Sequence, residues 1–229
     1  MNNIVGSRIG ISKHWTKDWI FRKENLVLTK KQISLLIGSL LGDGTMRVGH
    51  DSINANFKVE HCLKQKDLVF CKYQVLKPWV FTEPKLSYRY NADGSKYEKS
   101  WWFRTIRHPK LTKIQKLFYP KGKKIVPKII NLFFDESVLA WWIMDDGSYN
   151  RSVLDISTYS FTLQEVKLLL NIVNNKFKIQ GSYYRDRDKG FRIYFKANET
   201  KKLVKVIEPY VVDSMKYKIG YSNLDPVTT

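Results

Sequence analysis

Two stretches of this chain, ending at positions 44 and 147, each close an apolar run with a carboxylate followed at once by glycine. The first is Leu35-Leu36-Ile37-Gly38-Ser39-Leu40-Leu41-Gly42-Asp43-Gly44, and the second is Val138-Leu139-Ala140-Trp141-Trp142-Ile143-Met144-Asp145-Asp146-Gly147. Ile33, Leu36, Ile37, Leu40 and Leu41 follow the spacing of a helix with one broad apolar face. Ahead of them, Thr29-Lys30-Lys31-Gln32 has the form of a capping box. A carboxylate in the last turn of such a helix meets the negative end of the macrodipole, which disfavours it by up to about 1 kcal/mol. If the two helices pack side by side, Asp43 and Asp146 also repel one another. A cation must then compensate, and a pair of oxygen-ligated divalent ions is the simplest choice. One Asp-Gly is only a turn signal, as at Asp93-Gly94. Two of them, after matching helices, predict two similar halves that meet at a shared acidic site. Gly38 and Gly42 predict close approach to another backbone, and Gly44 is a natural left-handed helix terminator.

The rest of the chain supports the repeat. After Gly44 the period changes to two, and Asn54, Asn56, Lys58 and Glu60 alternate with Ala55, Phe57, Val59 and His61. A helix over about 64–76 ends ahead of Pro78. Strands at 85–90 and 100–106 flank the turn signal Asn91-Ala92-Asp93-Gly94, and a short helix covers 111–118. The second half has short strands near 148–150 and 153–158. Thr162-Leu163-Gln164-Glu165 is another capping box, opening a helix to about 177. A hairpin over 182–187 and 191–196 turns at Asp188-Lys189-Gly190, and a helix near 199–207 closes the half. Six strands with alternating faces predict two sheets with one polar side each. Residues 1–30 mix Lys and Trp without periodicity and are read as an N-terminal extension. The halves are 31–130 and 131–229.

The charge narrows the partner. Forty Lys and Arg against 21 Asp and Glu leave a formal +19, self-repulsive unless a polyanion offsets it. Nucleic acid fits, because neutralising phosphates releases counterions; a ribosomal or other structural basic protein is the plainer reading of charge alone. Cys62 and Cys71 are too few for a disulfide scaffold and match no zinc spacing, so two reduced, packed thiols are expected. No window approaches the roughly 18 apolar residues of a membrane span. No apolar signal core opens the sequence, so no membrane association is expected and the compartment is read as intracellular.

The two Asp-Gly stretches resemble the paired motifs of the LAGLIDADG homing endonucleases, and residues 31 to about 222 resemble the single-chain, group I intron-encoded branch in order and spacing. The resemblance implies an α+β fold of two pseudo-symmetric αββαββα halves, with a saddle of antiparallel sheets over duplex DNA, in a monomer. It implies a site-specific double-strand endonuclease that leaves 3′ overhangs and promotes intron mobility, encoded in a mitochondrion or chloroplast. Asp43 and Asp146 match the catalytic, Mg²⁺-binding position, with Gly42 and Asp145 beside them as metal-ligating residues through their carbonyls. Asp145 leaves open which side chain binds metal, and the offset to Gly147 favours Asp146. Lys124 and Lys218 match the basic positions near the scissile phosphates, 81 and 72 residues after their aspartates (43 to 124 and 146 to 218), with Lys123 and Lys216 as alternative registers.

Base readout is expected from Asn54, Asn56, Lys58, Lys85, Arg89, Arg104, Tyr183, Arg185, Arg187, Arg192, Tyr194 and Lys196 on the polar strand faces. Trp141 and Asp145 stand where the family often has small residues, so an asymmetric helix crossing and a non-palindromic site are expected. The alternative functions are an RNA maturase that assists splicing of its host intron RNA, and a non-cleaving DNA-binding protein on the same scaffold.

Overall fold

The computed structural model describes residues 17–50 and 52–221. The expectations drawn from residues 1–16 and 222–229 lie outside that range. A short helix α1 (Lys17–Glu24) precedes two copies of one motif. The first runs α2 (Lys30–Leu41), β1 (Thr45–Val48), β2 (Ala55–Cys62), α3 (Lys66–Leu76), β3 (Lys85–Tyr90), β4 (Lys96–Arg104), α4 (Pro109–Phe118). The second runs α5 (Glu136–Asp146), β5 (Gly147–Asn150), β6 (Val153–Ser157), α6 (Leu163–Phe177), β7 (Ser182–Asp186), β8 (Gly190–Phe195), α7 (Ala197–Ile207). Each copy folds into one antiparallel sheet, ordered β1-β2-β4-β3 and β5-β6-β8-β7. Among the described residues there are eight strands, one more than the seven segments marked in the sequence; the four-residue β1 is too short for its period to be read.

Local chemistry starts the helices where the sequence predicts. Thr29 caps α2 by accepting from Gln32 N, and Gln32 Oε1 reaches back to Thr29 N. The same Gln32 side chain donates to Val75 O and accepts from Trp79 Nε1, so the cap also ties α2 to the end of α3. Thr162 and Glu165 form the matching box on α6. Asp135 caps α5 by accepting from Val138 N, while its other oxygen accepts from Ser34 Oγ of α2. One side chain thus starts a helix and joins the halves.

The two motif helices are the centre of the core. Residues Leu35 to Leu41 and Val138 to Asp145 are buried continuously. The expected single apolar face on α2 is therefore two faces, because one side packs on its own sheet and the other on α5. The crossing is tight and asymmetric. A Cβ added to Gly38 would lie 2.5 Å from Val138 O and 2.6 Å from Trp141 Cβ, and one added to Gly42 would lie 2.5 Å from Asp145 Cβ. Glycines on α2 receive the larger residues of α5.

Three local expectations change. First, α2 ends at Leu41, so Asp43 lies just beyond the helix, whereas Asp146 is the last residue of α5. Gly44 N bonds back to Ser39 O at 2.7 Å, which widens the turn and draws Asp43 off the helix axis. Second, Gly44 is not left-handed. Glycine is needed because a Cβ would meet Ser39 O at 2.7 Å and Phe57 at 2.8 Å. Third, both cysteines are free, but Cys62 is exposed at the end of β2 instead of packed. Among the described residues, no helix is long and apolar enough to cross a membrane.

Candidate active site and nucleic-acid interface

The ends of α2 and α5 lie side by side, and four charged groups converge there. Asp43 is exposed and Asp146 is half-buried. Half of the Asp43 side chain meets solvent, but desolvation of the other half, then the charge of Asp145, holds its carboxyl above the ordinary carboxylate range. Burial, then Asp43 and Asp145, pushes Asp146 up to about 8. Each aspartate disfavours ionisation of its neighbour, as two carboxylates sharing one site must. Hard oxygen donors under mutual repulsion fit divalent metal binding. Among the described residues no group of three or more His, Cys, Asp and Glu could hold a metal ion.

The two lysines reach this point by different routes. Lys124, in the loop after α4, donates to Gly42 O at 2.8 Å and Gly44 O at 2.9 Å. Lys218 lies on a 3₁₀ segment, Asp213–Ile219, and donates to Asp145 O at 2.6 Å. Burial pushes both ammonium groups down, and the nearby aspartates oppose that shift. By contrast Lys123 is exposed and Lys216 pairs with Asp213 at 2.8 Å. The geometry thus brings Lys124 and Lys218 to the motif ends. It also separates the neighbouring aspartates, because Asp145 turns inward, fully buried, while Asp146 remains at the cleft.

Two residues of this cluster were not anticipated. Lys72 on α3 is completely buried, with Nζ 2.5 Å from Asp145 Oδ1. His61, at the buried side of β2, lies 3.2 Å from Lys72 Nζ, and its Nδ1 lies 3.6 Å from Asp43 Oδ2. Burial and the Lys72 charge lower the His61 pKa to about 3, so its ring is neutral. Alternation puts His61 among apolar residues, and Lys72 sits on the buried face of its helix beside Leu68, Val69 and Tyr73. A lysine at a core position of α3 was the readable signal.

The polar sheet faces flank this centre. On the first, Asn56 and Lys58 of β2 share a side with Arg104 of β4 and with Lys85 and Arg89 of β3; Arg47 of β1 joins them opposite Asn56. Glu60 stands among them, holding Lys58 at 2.6 Å and Lys99 at 2.7 Å. Burial opposes its ionisation, but bonds from Lys58, Lys99 and Ser100 hold it at about 2. Asn54 precedes β2, and its carboxamide oxygen accepts from Thr112 Oγ1 of α4.

On the second sheet, Arg192 and Tyr194 of β8 face Ser157 and Asp155 of β6, and exposed Lys196 follows β8 as the cap of α7. Tyr183 and Arg185 pair with Ile193 and Phe191, so they lie on the opposite face of β7. Tyr183 packs edge-on against Phe191 and beneath Lys167 of α6. Tyr184 occupies the outward place instead, donating to Asp155. The error is one residue of register, which in a strand moves a side chain to the other side. Arg187 lies in the turn, with φ 48°. Arg192 bonds Asp155, Ser157, Tyr159 and Ser148, leaving one guanidinium N–H for a base. It acts as a hub that orders this face more than as a free bidentate reader.

Comparison with known proteins gives consistent matches. The model of the LAGLIDADG DNA endonuclease family matches residues 33–203. DNA endonuclease I-ChuI of Chlamydomonas applanata is 30% identical over 212 residues, covering 86% of this chain and 97% of that protein. Cytochrome b mRNA maturase bI2 of Debaryomyces hansenii is 32% identical over 200 residues, covering 86% of this chain and 76% of that protein. Among solved structures, the homing endonuclease I-WcaI bound to its DNA recognition sequence superposes with a TM-score of 0.83 at 27% identity, covering 93% of this chain and 96% of that one.

Proposed function

The chain belongs to the LAGLIDADG DNA endonuclease family, and on that premise we propose that it is a site-specific double-stranded DNA homing endonuclease whose chemistry occurs at the seam between its halves. The observation that carries this reading is the pairing of Asp43 and Asp146, one from each half, both held above the ordinary carboxylate range by burial and neighbouring carboxylates. The site is completed by cations and phosphate together, and the +19 chain supplies the attraction for the phosphates.

Asp43 and Asp146 would hold Mg²⁺, with the carbonyls of Gly42 and Asp145 as further oxygen donors. When bound, the metal supplies an activated water and neutralises the leaving 3′ oxygen. Lys124 and Lys218 bring ammonium charge to the phosphorane that develops at each scissile phosphate. Neutral His61 offers the cleft a hydrogen-bonding partner without adding charge. Asn56, Lys58, Lys85, Arg89, Arg104, Tyr194 and Lys196 contribute phosphate contacts and base contacts from the two faces. Unequal halves fit a long, non-palindromic site cut with 3′ overhangs in the course of intron mobility. Relatives named as intron-encoded endonucleases support an origin within an intron, which we extend to an organellar gene.

A second reading, an RNA maturase, is favoured by the relatives named as cytochrome b mRNA maturases. The paired aspartates favour cleavage, because splicing assistance needs no such metal chemistry. The test is a plasmid carrying the intronless junction of the host gene, incubated with protein and Mg²⁺. Linearisation by wild type, lost in Asp43→Asn and Asp146→Asn, is the expected result. An inert wild type, or full activity in either variant, sinks the endonuclease reading.

A further inference from the structure

We propose that Lys72 is a positioning residue for the cleavage site, acting across the seam by holding the Asp145 side chain inward so that the Asp145 carbonyl and the Asp146 carboxylate remain at the cleft. The proposal rests on the endonuclease reading above. It starts from a chemical oddity. An ammonium group on a long flexible stem is rarely left fully buried, yet Lys72 is completely enclosed and so is its partner, Asp145. The pair joins different halves, since Lys72 is on α3 of the first and Asp145 is on α5 of the second.

The contacts give the pair a direction. Lys72 Nζ holds Asp145 Oδ1 at 2.5 Å, and Asp145 Oδ2 has no hydrogen-bond partner. That carboxylate is therefore anchored through one oxygen, by Lys72, with His61 Nε2 3.5 Å from the same atom. At the other end of the same residue, Lys218 Nζ holds the carbonyl at 2.6 Å. Asp145 is thus gripped at side chain and backbone by two cations from different elements, which fixes the peptide between it and Asp146. A carboxylate released from Lys72 would find nearby Lys218 and Lys124, whose ammonium groups already hold backbone carbonyls, and turning outward toward them would add a third negative charge beside Asp43 and Asp146. Gly42, at the equivalent place on the first helix, has no side chain to restrain, and its missing Cβ is the space that Asp145 Cβ fills. Lys72 also lies 3.2 Å from His61 Nε2, and His61 Nδ1 lies 3.6 Å from Asp43. The contacts therefore run from Asp145 through Lys72 and His61 to Asp43, linking both catalytic aspartates to the docking of the halves.

Breaking a buried pair from one side strands a charge and threatens folding, whereas replacing both partners with apolar residues of similar shape is often neutral. The test uses that difference in the full chain. Lys72→Met is expected to lose stability, and Lys72→Met combined with Asp145→Leu to regain a melting temperature within about 3 °C of wild type. DNA affinity should stay within about twofold in both variants. Assayed below its own melting temperature, Lys72→Met should lose single-turnover cleavage, and Mn²⁺ uptake by the protein–DNA complex measured by calorimetry, each by about 10- to 100-fold, and the double variant, with no carboxylate left to turn outward, should regain both. A folded Lys72→Met with wild-type cleavage and wild-type Mn²⁺ uptake overturns the proposal, leaving the pair a structural tie. A wild type that takes up Mn²⁺ without cutting, while Lys72→Met takes up less, retires the endonuclease reading and leaves the positioning role intact.

Discussion

The two motif ends do the same work with opposite materials. At the first, Gly42 presents a bare carbonyl to Lys124, and Asp43 extends past the helix into solvent. At the second, Asp145 presents its carbonyl to Lys218 while its carboxylate is drawn into the core by Lys72, and half-buried Asp146 ends the helix. The missing side chain on one helix makes room for the larger ones on the other. What is repeated is thus the placement of carbonyl, carboxylate and ammonium groups, while the packing beneath them is complementary. A pseudo-symmetric cluster of charged groups does not need a symmetric seam.

The largest effect is expected at the lysines. Lys124→Met and Lys218→Met should each slow single-turnover cleavage by roughly 10²–10³-fold through lost transition-state stabilisation. Each lysine binds one motif end, so nicked circles should accumulate from supercoiled plasmid in each variant. Equal slowing of both strands would contradict the separate roles. Next is the seam. Gly38→Ala should destabilise the protein by about 1–3 kcal/mol in denaturant titrations. Trp141→Ala should not rescue it, because the obstructing atoms are Val138 O and Trp141 Cβ, which truncation leaves in place. Rescue would show a looser crossing than the one described.

A smaller effect concerns charge. The Asp146 carboxyl titrates at about 8 in the folded chain, against an ordinary value of 3.8. Between these values the folded state holds the proton more tightly than the unfolded state, so stability contributed by this group falls as pH rises. In EDTA, Asp146→Asn should therefore raise the melting temperature by roughly 3–6 °C at pH 8 and by little at pH 4. The matching Asp43→Asn gain should be smaller, because Asp43 is exposed. Least of all, Arg104→Ala should weaken DNA binding by about fivefold and flatten its salt dependence, while Arg185→Ala changes affinity by less than about twofold. A larger loss at Arg185 would put the opposite face of β7 in contact with DNA.

Much of this was legible in the residues. Capping boxes at Thr29 and Thr162 and the paired Asp-Gly ends give the order of elements and the repeat. The carbonyl partners of Lys124 and Lys218 were not legible, because those bonds join residues far apart in the chain. The place of Lys72 on the buried face of α3 is readable in the helical period, but its role is not, because its partner Asp145 comes from the other half. Alternation alone puts Tyr183 and Arg185 on the wrong side, because β7 is polar on both faces and its period of two carries no phase. The two-sided burial of α2 depends on α5, which no local pattern contains.

On the proposed function, Asp43 and Asp146 form one shared centre instead of two independent ones. Strand-resolved cleavage of a duplex target labelled at both ends tests it most directly. Asp43→Asn alone and Asp146→Asn alone should each abolish cutting of both strands while leaving DNA affinity near wild type. A variant of either kind that still cuts one strand at the wild-type rate would contradict the account.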